Sequence, residues 1–373
     1  MITKGDVGGA QTHVVELALA QLGQGLVPVV VAGSDGPAME RLRNKGVEVH
    51  IVPTLSEARA RLWHGAALRD IRAALGSIAP DIVHGHSSNG GLLARLASRR
   101  DGYPSVYTAH GWPFQRGAPR SQRAKSFVAE FVGGHLGDGV ICLTEVEADR
   151  ALRAKVVRRS RLWVVPNGLD DVAARRDPTR DRGGAAEIVM VARFAPPKLQ
   201  SDVIRSLTSI SDLRWNLTFV GDGPQLDQCI QLGRRLLGDR VRFLGHRDDV
   251  DEILSRSDIA VLWSRYEGMP IALLEAMRAE LCCVASDLPG VRSLFGEPSA
   301  GLIASSEADL ADTVRAVIVS DSLIQEYGGR ARRRFEQSFS VSAMEAATRR
   351  VYDAVLARRE GRQRPLRSHS SQR

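Results

Sequence analysis

Short apolar runs rich in β-branched residues alternate with longer segments of helical periodicity through the first half of the chain. Two of the helical segments are 11–22 and 66–75. Strands that alternate with helices form parallel sheets, and strands that are apolar throughout are covered on both faces. We therefore predict a doubly wound parallel sheet, with strands near residues 29–32, 47–52, 82–84, 105–109, 139–143 and 162–165.

A second series of the same kind follows a polar interruption. Residues 170–182 contain eight charged side chains and precede Gly183 and Gly184, so we interpret 168–184 as a linker. A chain of 373 residues is long enough for two domains of ordinary size. We predict Rossmann-like domains over 1–167 and 185–338, with ligands bound in the cleft between them. The strands of the second domain are expected near 187–191, 217–220, 241–244, 259–263 and 282–285.

The two ends of the chain depart from this alternation. Residues 341–359 have the periodicity of a long amphipathic helix, and the basic segment 360–373 has almost no apolar residues, which predicts disorder. At the other end, only a few residues precede Gly8, although a full strand normally precedes a glycine turn. We expect either a very short first strand or a natural start upstream of Met1.

The composition of the chain says more about where the protein is located in the cell than about what it does. The formal net charge of +8 is compatible with a nucleic acid, an anionic membrane surface or an anionic small substrate. The four cysteines include no pair at C-x-x-C spacing, which favours buried thiols over a zinc site or disulfides. No apolar run approaches the ~20 residues that span a bilayer, and no signal-peptide pattern is present. We expect a cytoplasmic protein, and a peripheral contact on the inner face of the membrane stays open.

Glu267 and Glu275 flank a helix-start signal, Gly268-Met269-Pro270. A proline in the first turn places Glu267 in the preceding loop and Glu275 in the second turn. Eight helical positions span about 12 Å, comparable to the distance from the sugar to the ribose of a nucleotide sugar. The helix start between them suits a diphosphate, and carboxylates suit hydroxyl donors. On spacing alone, two scattered acids on a surface helix explain the pattern better.

Other candidates follow predicted strands at their carboxyl ends. Arg193 and Lys198 come after the first strand of the second series, where two cations would face the cleft and stabilise a departing diphosphate. His110 ends the fourth predicted strand and is also well placed. A solvated loop pair and a loop-capping histidine are the structural alternatives. His84 and His86 end an earlier strand, and without carboxylates or cysteines at metal-binding spacing we favour structural roles for them.

Two glycine turns precede predicted helices. Gly8 and Gly9 open the first helix, where glycine lets the backbone approach a ligand and free N–H groups can bind an anion. Gly221 and Gly223 follow a strand, but the third glycine of a dinucleotide fingerprint is missing. Because Pro224 suits the first turn of a helix, we favour a structural turn for this second segment.

Basic residues cluster after two aromatic side chains, Trp112 and Phe114. The cluster consists of Arg116, Arg120, Arg123 and Lys125, and a second one spans 153–161. A basic face with apolar side chains can rest on anionic lipid, at about 1 kcal/mol for each close cation. An ordinary solvated face is the favoured alternative.

Taken together and in order, these segments resemble the family-4 retaining glycosyltransferases of the GT-B fold. The resemblance extends from Gly8 to the last helix, and each segment is weak alone. The segments are GGAQTHV at 8–14, PDIVHGH at 80–86, YTAHG at 107–111, VPNGLD at 165–170, ARFAPPK at 192–198, VGDGP at 220–224, FLG at 243–245, SRYEGMP at 264–270 and EAM at 275–277.

The resemblance implies a role for each matching position. Glu267 would bind donor-sugar hydroxyls, and Glu275 would bind the ribose. His110 would lie near the transferred sugar, and Arg193 and Lys198 would hold the diphosphate. The remaining donor-side positions are Gly268, Met269, Pro270, Gly223, Gly8 and Gly9.

The resemblance also implies substrates and architecture. The donor would be a nucleoside-diphosphate sugar, with uridine favoured, and the acceptor a glycan or a lipid-linked glycan for a surface polysaccharide or exopolysaccharide. No metal ion or other cofactor is expected, and the last helix would cross back onto the first domain.

Two alternatives stay open at this point. A sugar-nucleotide epimerase of the same GT-B fold would bind the same donor and need no acceptor. A nucleic-acid-binding protein is suggested by the net charge alone, and no recognised nucleic-acid motif supports it.

Overall fold

The computed structural model describes residues 1–57, 65–114, 120–177 and 184–363. The first domain contains six parallel strands: β1 (Val29–Ala32), β2 (Glu48–Ile51), β3 (Val83–His86), β4 (Ser105–Ala109), β5 (Gly139–Cys142) and β6 (Leu162–Val164). Its helices are α1 (Gly9–Gly23), α2 (Pro37–Asn44), α3 (Thr54–Glu57), α4 (Gly65–Ile78), α5 (Ser88–Asp101), α6 (Arg120–Leu136) and α7 (Glu145–Arg153). β1 pairs with β2, and the other four strands lie in the order β3-β4-β5-β6.

The first two residues join these two groups of strands. The Ile2 amide donates to the Val31 carbonyl at 2.9 Å, and the His86 amide donates to the Met1 carbonyl at 2.8 Å. The Met1 amino group also donates to the His84 carbonyl at 2.7 Å. The short first strand expected from the sequence is therefore a two-residue bridge between β1 and β3.

The second domain has its own parallel sheet of six strands: β7 (Ala186–Val191), β8 (Trp215–Val220), β9 (Val241–Phe243), β10 (Ile259–Leu262), β11 (Cys282–Ser286) and β12 (Leu302–Ala304). Their order is β12-β11-β10-β7-β8-β9, so the direction of winding reverses between β7 and β10. Ligands of open α/β sheets bind at such a reversal, beyond the carboxyl ends of the strands. The helices are α8 (Gln200–Thr208), α9 (Leu226–Leu237), α10 (Val250–Ser255), α11 (Ile271–Arg278), α12 (Pro289–Phe295), α13 (Glu307–Ile318) and α14 (Asp321–Ser338).

The eleven strands predicted from the sequence are confirmed, with ends that move by one or two residues. The continuous apolar runs become fully buried strands, as β10 and β11 show. The four cysteines are buried and free, as expected. β12 was not predicted, because its apolar run is only three residues long.

The segment expected to be a linker is tied to the second domain where the structure describes it. Arg176 is buried and forms an ion pair with Asp258 at 3.1 Å. Asp171 pairs with Arg332, a buried residue of α14. Residues 178–183 of the segment lie outside the described residues.

The last helix, α15 (Val341–Gln363), returns to the first domain. It contributes Met344, Val351 and Val355 to a core shared with Val106 and Ile141 of the central strands. Where the chain leaves the first domain it runs beside the start of this helix. The Leu169 amide donates to the Phe339 carbonyl at 2.9 Å, and the Val341 amide donates to the Leu169 carbonyl at 3.0 Å.

The predicted disordered tail begins too early at 360. Residues 360–363 continue α15, because three of these four residues are good helix formers. Residues 364–373 lie outside the described residues. Among the described helices, none combines the length and the apolar character needed to cross a membrane.

Candidate active site

The loops after β7 and β10 pair with each other at the winding reversal of the second sheet. The Leu199 amide donates to the Trp263 carbonyl at 3.0 Å, and Lys198 forms an isolated antiparallel bridge with Ser264. This pairing brings the ammonium group of Lys198 onto the carboxylate of Glu267. The two side chains are 18% and 11% exposed, so the pair is largely desolvated. Two residues predicted from separate segments thus meet at the carboxyl edge of the sheet.

The turn at 267–269 is held between the two domains. A Cβ atom on Gly268 would lie 2.7 Å from the His110 carbonyl oxygen, and one on Gly290 would lie 2.0 Å from the Gly268 carbonyl oxygen. Asn167 donates through Nδ2 to the Met269 carbonyl at 3.0 Å. The turn therefore requires glycine at both 268 and 290. These contacts hold Glu267 at the domain interface, next to the segment that contains His110.

Helix α11 starts beside the start of α1. Pro270 is the residue before the first helical position, as the sequence signal predicted within one residue. A Cβ atom on Gly9 would lie 3.4 Å from Ile271 Cγ1. A Cβ atom on Gly8 would meet only the Gln11 side chain. Because helix starts carry free N–H groups and positive partial charge, this junction is suited to an anion.

Glu275 lies in the second turn of α11, as predicted. Burial raises the pKa of this carboxyl to about 7; Arg278 opposes the rise, and Asp251 and Glu16 add to it. The Arg278 guanidinium is already bound to Asp251 and to the Asp170 carbonyl. Glu275 is therefore an acid that titrates near neutral pH, and hydroxyl groups donated to it would favour its ionised form.

Arg193 and Gly223 lie on neighbouring loops. The Phe194 amide donates to the Asp222 carbonyl at 2.9 Å, and a Cβ atom on Gly223 would lie 2.5 Å from the Phe194 carbonyl oxygen. Gly223 also has a φ of 152°, which a side chain rarely adopts. Both the backbone conformation and the close contact therefore require glycine at 223. The turn packs against the loop in which Arg193 is exposed. Among the described residues, the Arg193 side chain has no hydrogen-bond partner.

Three histidines converge on the first-domain side of the same cleft. Nδ1 of His86 lies 3.1 Å from Nε2 of His110, and the ring of His13 lies 4.8 Å from the ring of His110. Nδ1 of His13 is bonded to Oδ1 of Asn167 at 2.9 Å. Burial lowers the pKa of His13 to about 4 and the pKa values of His86 and His110 well below their usual range, so all three rings are neutral at pH 7.

The spacing of these histidines along the chain gave no sign that they meet. They come from α1, from the end of β3 and from just after β4, and the pairing of β3 with β4 brings two of them together. Their nitrogen atoms lie close enough together to hold a metal ion, although the spacing of residues along the chain predicted no set of metal ligands. His84 fits the structural role predicted for it, because it bonds Tyr352 of α15 at 2.6 Å.

Asn167 and Gly290 are site residues that the sequence did not single out. Asn167 lies within the VPNG segment that contributed to the resemblance, where it received no role. Gly290 follows the proline that starts α12, and only its close approach to Gly268 reveals its importance. Asn167 acts through its side-chain amide and Gly290 through its close backbone approach, and both contacts join segments that are distant in sequence, so no local pattern predicts them.

Two doubly wound domains with parallel sheets, facing each other across their strand ends, define the GT-B architecture of glycosyltransferases. Residues 7–172 match the family described as Glycosyltransferase Family 4, and residues 172–334 match Glycosyl transferases group 1. Together the two matches extend from residue 7 to residue 334, and the chain belongs to the family-4 glycosyltransferases. It is therefore a glycosyltransferase rather than an epimerase.

Individual relatives agree with this assignment. The chain is 27% identical over 336 residues to the UDP-Gal:alpha-D-GlcNAc-diphosphoundecaprenol alpha-1,3-galactosyltransferase of Escherichia coli, covering 84% of this chain and 85% of the relative. It is 28% identical to the alpha-maltose-1-phosphate synthase of Mycolicibacterium smegmatis, covering 94% and 96% of the two chains. The structure of Anabaena HepE in complex with UDP and glucose superposes with a TM-score of 0.81 at 19% identity, covering 94% of this chain and 98% of HepE.

The buried histidines predict a pH dependence of stability. Because the pKa of His13 is about 4 in the folded protein and about 6.5 in an unfolded chain, its contribution is present above pH 6.5 and is lost as the pH falls toward 4. The difference in the pKa of His13 between the two states should by itself lower the free energy of unfolding by about 2 kcal/mol from pH 7 to pH 5. We expect the apparent melting temperature of His13→Gln to fall less over this range than that of the wild type. The exposed His246→Gln variant should follow the wild type, and identical pH profiles for all three proteins would contradict the assignment.

Proposed function

We propose that the protein is a retaining glycosyltransferase that transfers a sugar from a UDP-linked donor to a lipid-linked glycan during polysaccharide biosynthesis. The observation that carries this proposal is the convergence of the Lys198–Glu267 pair, His110 and the start of α11 at one cleft. Glu267 would bind the donor sugar beside His110. The start of α11 would meet the diphosphate, and Glu275, one turn further along, would bind the ribose.

The positive groups of the site support departure of the diphosphate. Lys198, Arg193 and the free N–H groups at the start of α11 would stabilise the negative charge that builds on the leaving oxygen. Glu267 is bound to Lys198, so we do not assign it as a covalent nucleophile. Instead, the acceptor hydroxyl attacks on the face from which the diphosphate leaves, and the departing phosphate oxygen takes the proton. The protein groups supply the positive charge, so the proposed reaction needs no metal ion or other cofactor.

Two relatives support the choice of donor and acceptor. The name of the Escherichia coli galactosyltransferase specifies a UDP-linked donor and a diphosphoundecaprenol-linked acceptor, and HepE was crystallised with UDP and glucose. The Mycolicibacterium smegmatis relative is named for a sugar phosphate product, so the choice of a lipid-linked acceptor rests on the Escherichia coli relative.

An exposed apolar row on α6 supports a contact with the membrane surface. Phe127, Val128 and Phe131 are 37%, 60% and 41% exposed, and Arg123 and Lys125 lie on the same helix. The row continues into the site loop through ring contacts from Phe127 to Phe114 and from Phe114 to Trp112, two residues after His110. Of the basic cluster predicted here, residues 115–119 lie outside the described residues. We propose that α6 rests on the anionic inner face of the cytoplasmic membrane and brings the site to a lipid-linked acceptor.

The transfer reaction is tested by screening nucleotide sugars for thermal stabilisation and then supplying the stabilising donor with lipid-linked acceptors. We expect UDP release that depends on the acceptor and a product whose anomeric configuration matches the donor. Glu267→Gln should lower transfer by about a hundredfold, because a charge-assisted bond to the sugar is lost, and should retain UDP binding. Glu252→Gln, an exposed change on α10, is the control. An inverted product would exclude the retaining mechanism.

Ribose binding by Glu275 predicts a pH-dependent affinity for UDP. Because hydroxyl donors favour the ionised carboxylate and the free pKa is about 7, binding should release protons and weaken about tenfold from pH 8 to pH 6. Calorimetry in two buffers of different ionisation enthalpy measures this release. In the Glu275→Gln variant, the affinity for UDP should fall, and the only remaining pH dependence should come from titration of the nucleotide itself. Unchanged affinity and proton release in this variant would remove Glu275 from the site.

Membrane contact is tested by cosedimentation with vesicles that contain anionic lipid. The double variant Phe127→Ser/Phe131→Ser should lose most of the bound fraction, and added salt should weaken binding of the wild type because the basic residues contribute. Leu236→Ser removes an equally exposed apolar side chain from α9 in the second domain and should bind like the wild type. Equal losses in both variants would argue against a surface centred on α6.

A further inference from the structure

The hydrogen bonds around His13 leave one of its nitrogen atoms available as a ligand. Nδ2 of Asn167 donates to the Met269 carbonyl, so Oδ1 of Asn167 is the atom that faces Nδ1 of His13 at 2.9 Å. Nδ1 of His13 therefore carries the ring proton, and Nε2 presents a lone pair. In the described part of the chain, this buried Nε2 has no hydrogen-bond partner. A buried acceptor without a partner is costly and indicates a ligand that is not protein.

His86 and His110 lie where they can share that ligand. One ligand nitrogen from each of the three histidines falls within 4.8 Å of the others. Nitrogen ligands of a tetrahedral zinc ion lie about 2.0–2.1 Å from the metal and hence about 3.4 Å from one another. Small rotations of the rings would close the remaining gap. His13 and His86 are buried and His110 is partly exposed, so an ion held by the three rings would be reached from the side of His110.

We propose that His13, His86 and His110 form a binding site for a borderline divalent transition-metal ion such as Zn²⁺. Imidazole nitrogen favours zinc, cobalt, nickel and copper over the hard ions magnesium and calcium. Each neutral ring has one lone pair to give, so three rings can bind an ion without losing a proton. Nδ1 of His86 and Nε2 of His110 are hydrogen-bonded to each other at 3.1 Å, so binding of an ion through these atoms would replace that bond. Asn167 holds His13 through its other ring nitrogen, which is how ligand histidines are oriented in metal sites.

The position of this site separates it from the proposed diphosphate groups. The histidines belong to the first domain, whereas Lys198, Arg193 and the start of α11 belong to the second. The metal ion would therefore lie on the wall of the cleft next to His110 and would leave the positive groups of the second domain free. The proposed metal site does not depend on the proposed donor chemistry, and metal binding can be measured without substrates.

The test uses the full chain without an affinity tag, stripped of metal by a chelator. Titration with Co²⁺ should give the visible absorption of a tetrahedral cobalt site at about one ion per chain. Zn²⁺ should abolish this absorption by displacement, and Mg²⁺ should not. His13→Gln, His86→Gln and His110→Gln should each lower Zn²⁺ affinity at least tenfold, with folding checked by circular dichroism. Asn167→Ala should lower it by about 10–100-fold.

The control replaces two histidines that lie on the surface, outside the cluster. His50→Gln/His246→Gln should bind Co²⁺ and Zn²⁺ like the wild type, since their side chains are 33% and 44% exposed and neither belongs to the cluster. Absence of the cobalt absorption in the wild type would overturn the proposal. Wild-type affinity in all three single variants, or loss of binding in the surface variant alone, would also overturn it.

Discussion

The close contact between the turn at 267–269 and the first domain is the constraint on which the site depends. Gly268 lies against the His110 carbonyl, and the Met269 carbonyl accepts a bond from the side-chain amide of Asn167. Because the turn is in direct contact with the first domain, the relative position of the two domains fixes the backbone at Glu267. The same contact places Lys198, through its pair with Glu267, opposite the histidines of the first domain. A side chain at 268 would push the two walls of the cleft apart, and a side chain at 290 would displace the turn itself.

The two walls of the cleft have different electrostatic characters. On the first-domain wall, the three imidazoles are neutral because ionised rings would be poorly solvated there. On the second-domain wall, Lys198 and Glu267 keep opposite charges as a largely desolvated pair. A buried ion pair is a weak source of stability. The Lys198–Glu267 pair is thus better explained by what it can bind than by what it adds to folding.

The sequence predicted the features that local chemistry determines. Apolar runs of strand length identified eleven strands, and Pro270 located the start of α11 and hence the positions of Glu267 and Glu275. Features that depend on distant segments were not predictable. The raised pKa of Glu275 comes first from burial beneath distant segments, with smaller contributions from Asp251 and Glu16, and the histidine cluster requires β3 and β4 to be neighbours. β12 was not predicted because an apolar run of three residues is too short to identify a strand.

The two passages of the chain between the domains run side by side and are bonded to each other at Leu169, Phe339 and Val341. Gly168 lies so close to the Ser340 carbonyl that a Cβ atom there would come within 2.3 Å of it. Because the two passages are bonded to each other, any opening of the domains would have to bend both of them together at this place. Such an opening would separate Gly268 from His110 and Met269 from Asn167. Access to the cleft would then depend on how easily this junction bends, and not on the unfolding of a loop.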